Sequence, residues 1–315
     1  MYIPIMRRNH ACMMFLVLIN LMLPSNLWGE DSLGIFTWKF WSAYTQGEVR
    51  EIVYRNSTSP ELLSVLFWPV MPSLGLGGSL KVKPVSWLDA DLQVESFFPL
   101  GLGTMVDLDF DLNYPFTHTD IRSETIVQMY GHFRLEAIIA SPWDLGDWEI
   151  RPFGGISFRR TSWEAWGPAV QVATNRDNPT QTAQTNINGL AILYRIQQII
   201  LLVGLETSVQ LPDFSLSAAV ALGINPLYED QDIHYLTGTT YKDYPLGGLW
   251  LRPSLTFRLP LGSGTLGVMV EYEVARGARG DVYSIGKNSS SIFKYTGSSG
   301  MEEDMFTCRL SWSHP

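Results

Sequence analysis

Side chains along most of this chain alternate between apolar and polar with a period of two, and only an extended strand puts every second residue on one face. In 74–83, Leu74, Leu76, Leu80 and Val82 share one face, while Gly75, Gly77, Ser79, Lys81 and Lys83 share the other. Past Pro84, Leu88, Ala90, Leu92 and Val94 alternate with Asp89, Asp91, Gln93 and Glu95. The two segments form a natural hairpin, with lysines facing aspartates on its polar side. The same alternation marks 121–139, where Thr125, Val127, Met129, Phe133, Leu135 and Ala137 oppose Glu124, Gln128, His132, Arg134 and Glu136. It returns in 214–225, 249–259, 266–274 and 306–312, and weaker strands are placed at 34–54, 61–70, 148–163 and 187–207.

The connections alternate in length. Short turns fall near 84, 141–147, 211–213 and 262–264, and long polar loops at 55–60, 111–120, 167–186, 230–246 and 286–300. Short turns at one end, long loops at the other, and strands with one apolar and one charged face describe an all-β transmembrane antiparallel β-barrel with long extracellular loops. Lys81, Asp91, Glu124, Arg134, Arg252, Glu271 and Arg309 are then expected to line a polar lumen, with Trp and Tyr near the strand ends as interface anchors. A secreted β-sandwich or lipocalin-like barrel would turn its apolar faces inward instead; the charged set assigned to the lumen, the export signal and the Trp and Tyr that flank many strands favour the membrane barrel over it. A helical membrane protein is excluded more simply. The run at 199–203 is preceded by Arg195, Gln197 and Gln198 and falls short of the ~20 residues a span requires.

Residues 1–29 read as a signal peptide, with Arg7, Arg8 and His10 ahead of an apolar stretch at 11–23, which leaves 30–315 as the barrel. The formal net charge is -9 and no Lys/Arg cluster occurs, so nucleic acid is not an expected partner. Cys12 and Cys308 make no disulfide framework, and cleavage after Gly29 would leave Cys308 as the only thiol.

Two stretches carry chemistry. In Gly103-Thr104-Met105-Val106-Asp107-Leu108-Asp109-Phe110 a pair of carboxylates shares one strand face; in Tyr228-Glu229-Asp230-Gln231-Asp232-Ile233-His234 two carboxylates and an imidazole do so. If the fold brings them together, four carboxylates and one His converge, an arrangement suited to perturbed proton affinities and hydrolysis. An isolated Asp-x-Asp pair is usually a solvated loop, and a metal site rivals proteolysis for Asp-x-Asp-x-His. A calcium loop starting at Asp107 fails, because Leu112 stands where the sharp turn needs Gly and His118 where a Glu is needed. No Ser or Cys stands in a nucleophile-elbow motif. Counting by twos from Phe214 puts Asp230, Asp232 and His234 on the lipid-facing set. A bulge at Pro226 is therefore expected to reset the facing.

With these residues in view, the chain resembles the omptin family of outer-membrane proteases. Gly103–Asp109 matches the omptin motif with the catalytic aspartate pair, Asp230–Tyr235 matches the motif with the catalytic Asp–His pair, and Arg50-Glu51-Ile52-Val53-Tyr54 resembles the first-strand segment with a substrate-binding glutamate. The segments 268–271, 276–280 and 300–312 sit where omptins have similar ones. The resemblance implies ten strands and an endopeptidase cleaving beside basic residues. Asp232 would orient His234, which takes a proton from water; Asp107 and Asp109 would hold that water and the scissile carbonyl. Glu51 and Asp230 would bind the basic side chain. It further implies an outer-membrane location with the active site facing outside, a monomer, peptide or protein substrates, and no metal or other cofactor. Arg160 matches a lipopolysaccharide-binding position, although Gln197 replaces another basic partner, and lipopolysaccharide dependence stays open. Phe116-Thr117-His118 stands where omptins carry Trp-Thr-Asp. The rival reading is a non-catalytic barrel, an adhesin or passive channel.

Overall fold

The computed structural model describes residues 36–55, 61–286 and 292–314; the expected signal segment lies outside the described residues. Fifteen strands make one antiparallel sheet: β1 (Phe36–Tyr54), β2 (Leu62–Val85), β3 (Leu88–Pro99), β4 (Gly103–Leu112), β5 (Thr119–Ala140), β6 (Trp143–Leu145), β7 (Trp148–Trp166), β8 (Ala169–Asn175), β9 (Thr182–Ile187), β10 (Leu190–Gln210), β11 (Ser215–His234), β12 (Thr239–Leu246), β13 (Leu249–Leu261), β14 (Gly264–Gly286) and β15 (Ile292–His314). They act as a ring of ten staves, closed where β1 pairs with β15 from Trp38↔His314 to Tyr54↔Ser298. Two staves are broken. β3 and β4 together lie between β2 and β5, and β13 and β12 together lie between β11 and β14. The second break turns at Gly247, whose φ of 74° is easy only for glycine.

Closure leaves no free edge, and the period-two pattern then assigns each stave an inside and an outside. Leu80 and Leu92 are register neighbours and both are exposed outward; so are Val203, Leu222 and Leu251 on three adjacent staves. This apolar surface is the lipid-facing band of a transmembrane barrel. Directly beyond its upper margin at Ile199 and Leu227 the outer face turns polar, with Arg160, Gln197 and Glu229 side by side in register.

Inside the band the lumen is filled with ion pairs. Arg252 pairs with Glu136 at 2.7 Å, Arg309 with Glu95 at 2.8 Å, Arg134 with Glu271 at 3.0 Å, and Arg159 with Glu273, all buried. Arg252 also lies 4.8 Å over the ring of Trp250. These buried pairs tie staves together across the lumen.

Bulges in β2, β5 and β11 shift register and reverse the facing of everything beyond them. In β11, Leu201↔Ile224 is followed by Ile199↔Leu227, so Pro226 and Leu227 both face outward and the expected reset at Pro226 is present. In β5 the shift lies between Met129 and Gly131. Thr125, Val127 and Met129 are therefore buried inside while Phe133, Leu135 and Ala137 face lipid, and these six do not share a face as the simple alternation suggested. Glu124 accordingly does not line the lumen; it is exposed on the outer surface, paired with Arg122. In β2 the shift falls between Ser73 and Val70, which joins the two expected strands, 61–70 and 74–83, into one. The expected loops at 167–186 and 230–246 also contain strands, the β8–β9 hairpin and β12.

Candidate active site

Beyond the band the barrel wall continues upward, and its interior closes over an apolar floor. Trp68 stacks on Tyr194 at 4.6 Å between ring centres, Trp163 lies 5.7 Å from Tyr194, and Trp163 Nε1 donates to the Pro69 carbonyl at 2.8 Å. Met105, Val127, Met129 and Ile196 complete this cluster. Trp68, Trp163 and Tyr194 are fully buried, so these aromatics are core and not the interface anchors expected of strand-end Trp and Tyr. Exposed Trp87, Trp143 and Trp148, near the short turns, fit that part.

Above the floor the two motifs face each other. On one wall, β4 sets Asp107 against Leu66 of β2 and Asp109 against Ser64, and Leu66 is in turn the partner of Glu51 on β1. Glu51, Leu66 and Asp107 thus form one row across three staves. On the opposite wall, the bulge at Pro226 turns Asp230, Asp232 and His234 inward, where they pair in register with Ile196, Tyr194 and Ile192 of β10 and with Asp243, Tyr241 and Thr239 of β12. His234 Nε2 is 2.5 Å from Asp232 Oδ2, and the imidazole meets the Tyr241 ring edge-on at 5.2 Å. Asp232 is buried, whereas the His234 side chain keeps 29% of its exposure, open to the upper end.

The electrostatics couple these walls. Burial, and then the charge of Asp109, push Asp107 up to about 8, with His234 across the barrel pulling the other way. Burial likewise raises Asp109, partly offset by nearby Ser64, whose hydroxyl donates to Asp107 Oδ1 at 3.4 Å, and by His234. For His234, burial favours the neutral ring, but Asp232, with Asp107 and Asp109 behind it, outweighs burial and raises the imidazole above its ordinary 6.5. A base held by one carboxylate and a partly protonated carboxylate pair facing it can move protons near neutrality.

A second group of acids lines the same interior. Glu51 is held well above the ordinary carboxylate range by burial and then by Asp232 and Asp243; Asp230 is raised in the same way, by burial and then by Asp243 and Glu51. Tyr194 Oη donates to Asp230 Oδ2 at 3.4 Å. Asp243 went unnoticed in the sequence, where it is a single acid in Lys242-Asp243-Tyr244. Its alternation with Tyr241 in a short strand was the available signal, hidden because 230–246 looked like loop. Ser64 was missed for the same reason that most hydroxyls are: its role is a contact, not a pattern.

Arg160 stands on the outer face of β7 next to Gln197, well outside this interior group. Phe116-Thr117-His118 lies in the loop above β4, where His118 Nδ1 is 2.7 Å from Asp111 Oδ1 and Arg55 donates to the carbonyl of Asp111 at 2.7 Å.

A family model described as the Omptin family matches residues 40–313. The outer membrane protease OmpT from Escherichia coli has a similar fold, with a TM-score of 0.74 at 15% identity over 91% of this chain and 99% of that one. The translocator domain of the autotransporter NalP from Neisseria meningitidis is more distant, at 10% identity and a TM-score of 0.35 over 97% and 95% of the two chains. No curated protein sequence matches the chain.

Proposed function

The chain belongs to the omptin family, and from that membership and the geometry of the upper barrel we propose that it is an outer-membrane endopeptidase that cleaves polypeptides beside basic residues. The observation that carries the reading is the pairing across the barrel of Asp107 and Asp109 with Asp232 and His234, each pair acting on the other's proton affinity.

In this reading Asp232 accepts a hydrogen bond from the His234 ring and fixes its tautomer. The other ring nitrogen then takes a proton from a water held between the walls. The water oxygen attacks the scissile carbonyl carbon. Asp107, which keeps its proton to about pH 8, donates to the carbonyl oxygen as negative charge builds on it, and Asp109 holds the water. The proton on His234 passes to the leaving amine as the C–N bond breaks. No acyl-enzyme is needed. Glu51 and Asp230 receive the Arg or Lys side chain that precedes the bond, and desolvated pairing of this kind rejects neutral residues.

The site opens at the end bearing the long loops, which we assign to the cell exterior, and the protein acts as a monomer without a metal or other cofactor. Arg160, on the outer face of β7 just above the apolar band, contacts outer-membrane lipid. The packed ion pairs in the lumen weigh against a passive channel. The test is hydrolysis of an internally quenched peptide with one Arg-Arg bond by refolded protein, with and without lipopolysaccharide, the cut mapped by mass spectrometry. Cleavage at that bond supports the reading. An intact peptide under both conditions, with folded protein, rejects it.

A further inference from the structure

The acid pocket beneath the proposed catalytic pairs holds one carboxylate more than a two-acid basic-residue pocket needs. Asp243 on β12 is the register partner of Asp230 on β11, and both side chains point inward. Glu51, Asp230 and Asp243 are buried to 3%, 1% and 2% exposure. Each keeps an oxygen with no hydrogen-bond partner: Glu51 Oε2, Asp230 Oδ1 and Asp243 Oδ1. The hydroxyl of Tyr228, equally buried, has none either. Buried polar atoms left unmatched are costly, and several converging on one place mark where a ligand completes the structure.

Resting on the endopeptidase reading, we propose that Asp243 is a specificity-determining residue of the basic pocket, which makes it select arginine over lysine. A guanidinium brings five N–H donors in a planar fork, enough for the three free carboxylate oxygens and the Tyr228 hydroxyl together. An ammonium brings three. Lysine would therefore leave at least one buried acceptor unmatched, and discrimination by unmatched buried groups is large.

The charge balance adds a second signature. After burial, the groups acting on Asp243 are Ser299 of β15, which lowers it, Asp232, which raises it, and Asp230, which lowers it; on Glu51 they are Asp232, Asp243, the Trp68 indole and Asp107, and on Asp230 they are Asp243, Glu51 and Asp232. Tyr194 of β10 and Tyr228 of β11 face the same acids. So many carboxylates cannot all ionise in one buried space, and Asp243 is held up to about 7, by burial first. An arriving guanidinium then expels protons, so arginine binding tightens as pH rises toward neutrality.

The experiment compares wild type, Asp243→Asn and Asp243→Ser on peptides differing only in Arg, Lys or citrulline before the bond. In parallel, isothermal titration of a reduced-amide Arg peptide at pH 6.5 is run in two buffers of different ionisation enthalpy, which counts protons released on binding. Folding is checked by heat-modifiable gel mobility, and the serine variant serves where the amide does not fold. The expected result is a wild-type preference for Arg over Lys of about tenfold or more, reduced several-fold in the variants through KM, with kcat changed less than KM. Proton release on binding falls in the variants. An unchanged Arg-to-Lys ratio and unchanged proton count overturn the inference while leaving the protease reading intact. Proton-releasing binding that depends on Asp243, without cleavage of any peptide, upholds the pocket and rejects the protease.

Discussion

His234 Nε2 sits 2.5 Å from Asp232 Oδ2 on the same strand, two residues apart, and the pair faces Asp107 and Asp109 across the barrel interior. In a strand, i and i+2 always share a face, so this contact needs no help from elsewhere. The meeting with Asp107 and Asp109 does. It depends on ten staves closing into a ring and on the bulge that absorbs one extra residue of β11 before Asp230.

The first expectation is a bell-shaped pH profile. The base must be neutral His234, whose proton affinity is raised above 6.5, so kcat falls as pH drops through a point above that value. The alkaline limb belongs to the carboxylate pair, as Asp107 gives up its proton near pH 8. Asp109→Asn removes the like charge that raises Asp107 and moves the alkaline limb to lower pH. Stopped-time assays from pH 5 to 9 would show it, and a flat profile would contradict the assignment.

Glu51→Gln and Asp230→Asn should each raise KM for an arginine peptide by roughly tenfold to a hundredfold, the worth of about 1.5–3 kcal/mol for a hydrogen bond to a charged group. On a citrulline peptide the same variants should change KM little. Steady-state kinetics on the matched pair of peptides separates this from general damage, which would lower turnover of both.

Stability should fall as pH rises. Glu51, Asp107, Asp230 and Asp243 all have proton affinities raised by burial first, so the folded barrel holds protons that the unfolded chain has released. Such stabilisation is complete below the ordinary carboxylate value near 4 and is lost as pH climbs through about 7 to 8. Asp243 acts in the same direction as the other three, and a raised carboxyl loses on the order of 1.4 kcal/mol of stabilisation for each pH unit between its ordinary and raised values. Urea midpoints in lipid vesicles should be lower at pH 8 than at pH 5, and Asp243→Asn should flatten the difference. Equal midpoints would contradict it.

Deleting Pro226 removes the extra residue of β11 and leaves a regular strand in which Leu227 directly follows Asn225 and still faces outward, so Asp230, Asp232 and His234 keep facing inward. Folding and peptidase activity are therefore expected to persist, with the β10–β11 ladder running without a break from Ile224 to His234. Pro226→Ala keeps the residue count and should stay folded and active. Heat-modifiable mobility and peptide turnover of the two variants test this, and a deletion variant that folds but is inactive while Pro226→Ala is active would contradict it.

Much of this architecture could be read directly from residues. Alternation in 74–95 and 214–225 defined strands and their lipid face, and Asp107, Asp109, Asp232 and His234 stood out through strand spacing before any fold was known. Pro226 betrayed its bulge because proline cannot donate to a ladder. The bulge at Tyr130–Gly131 carried no such marker, and Glu124 was consequently given the wrong face. Trp68 and Trp163 look like interface aromatics by position, and only closure of the ring shows them both stacked on Tyr194 beneath the site. Asp243 was invisible because its meaning comes from a partner thirteen residues away across a hairpin, Asp230, which no single-strand pattern reports.

The measurement to make is turnover of the quenched Arg-Arg peptide by wild type and by Asp232→Asn, prepared side by side and shown by gel mobility to be equally folded. Removing the charge that orients and polarises His234 should lower kcat by about a thousandfold or more, with KM little changed, because general-base catalysis contributes roughly 10²–10⁴. Equal turnover by the two proteins, or none by wild type, would contradict a water-activating Asp232–His234 pair.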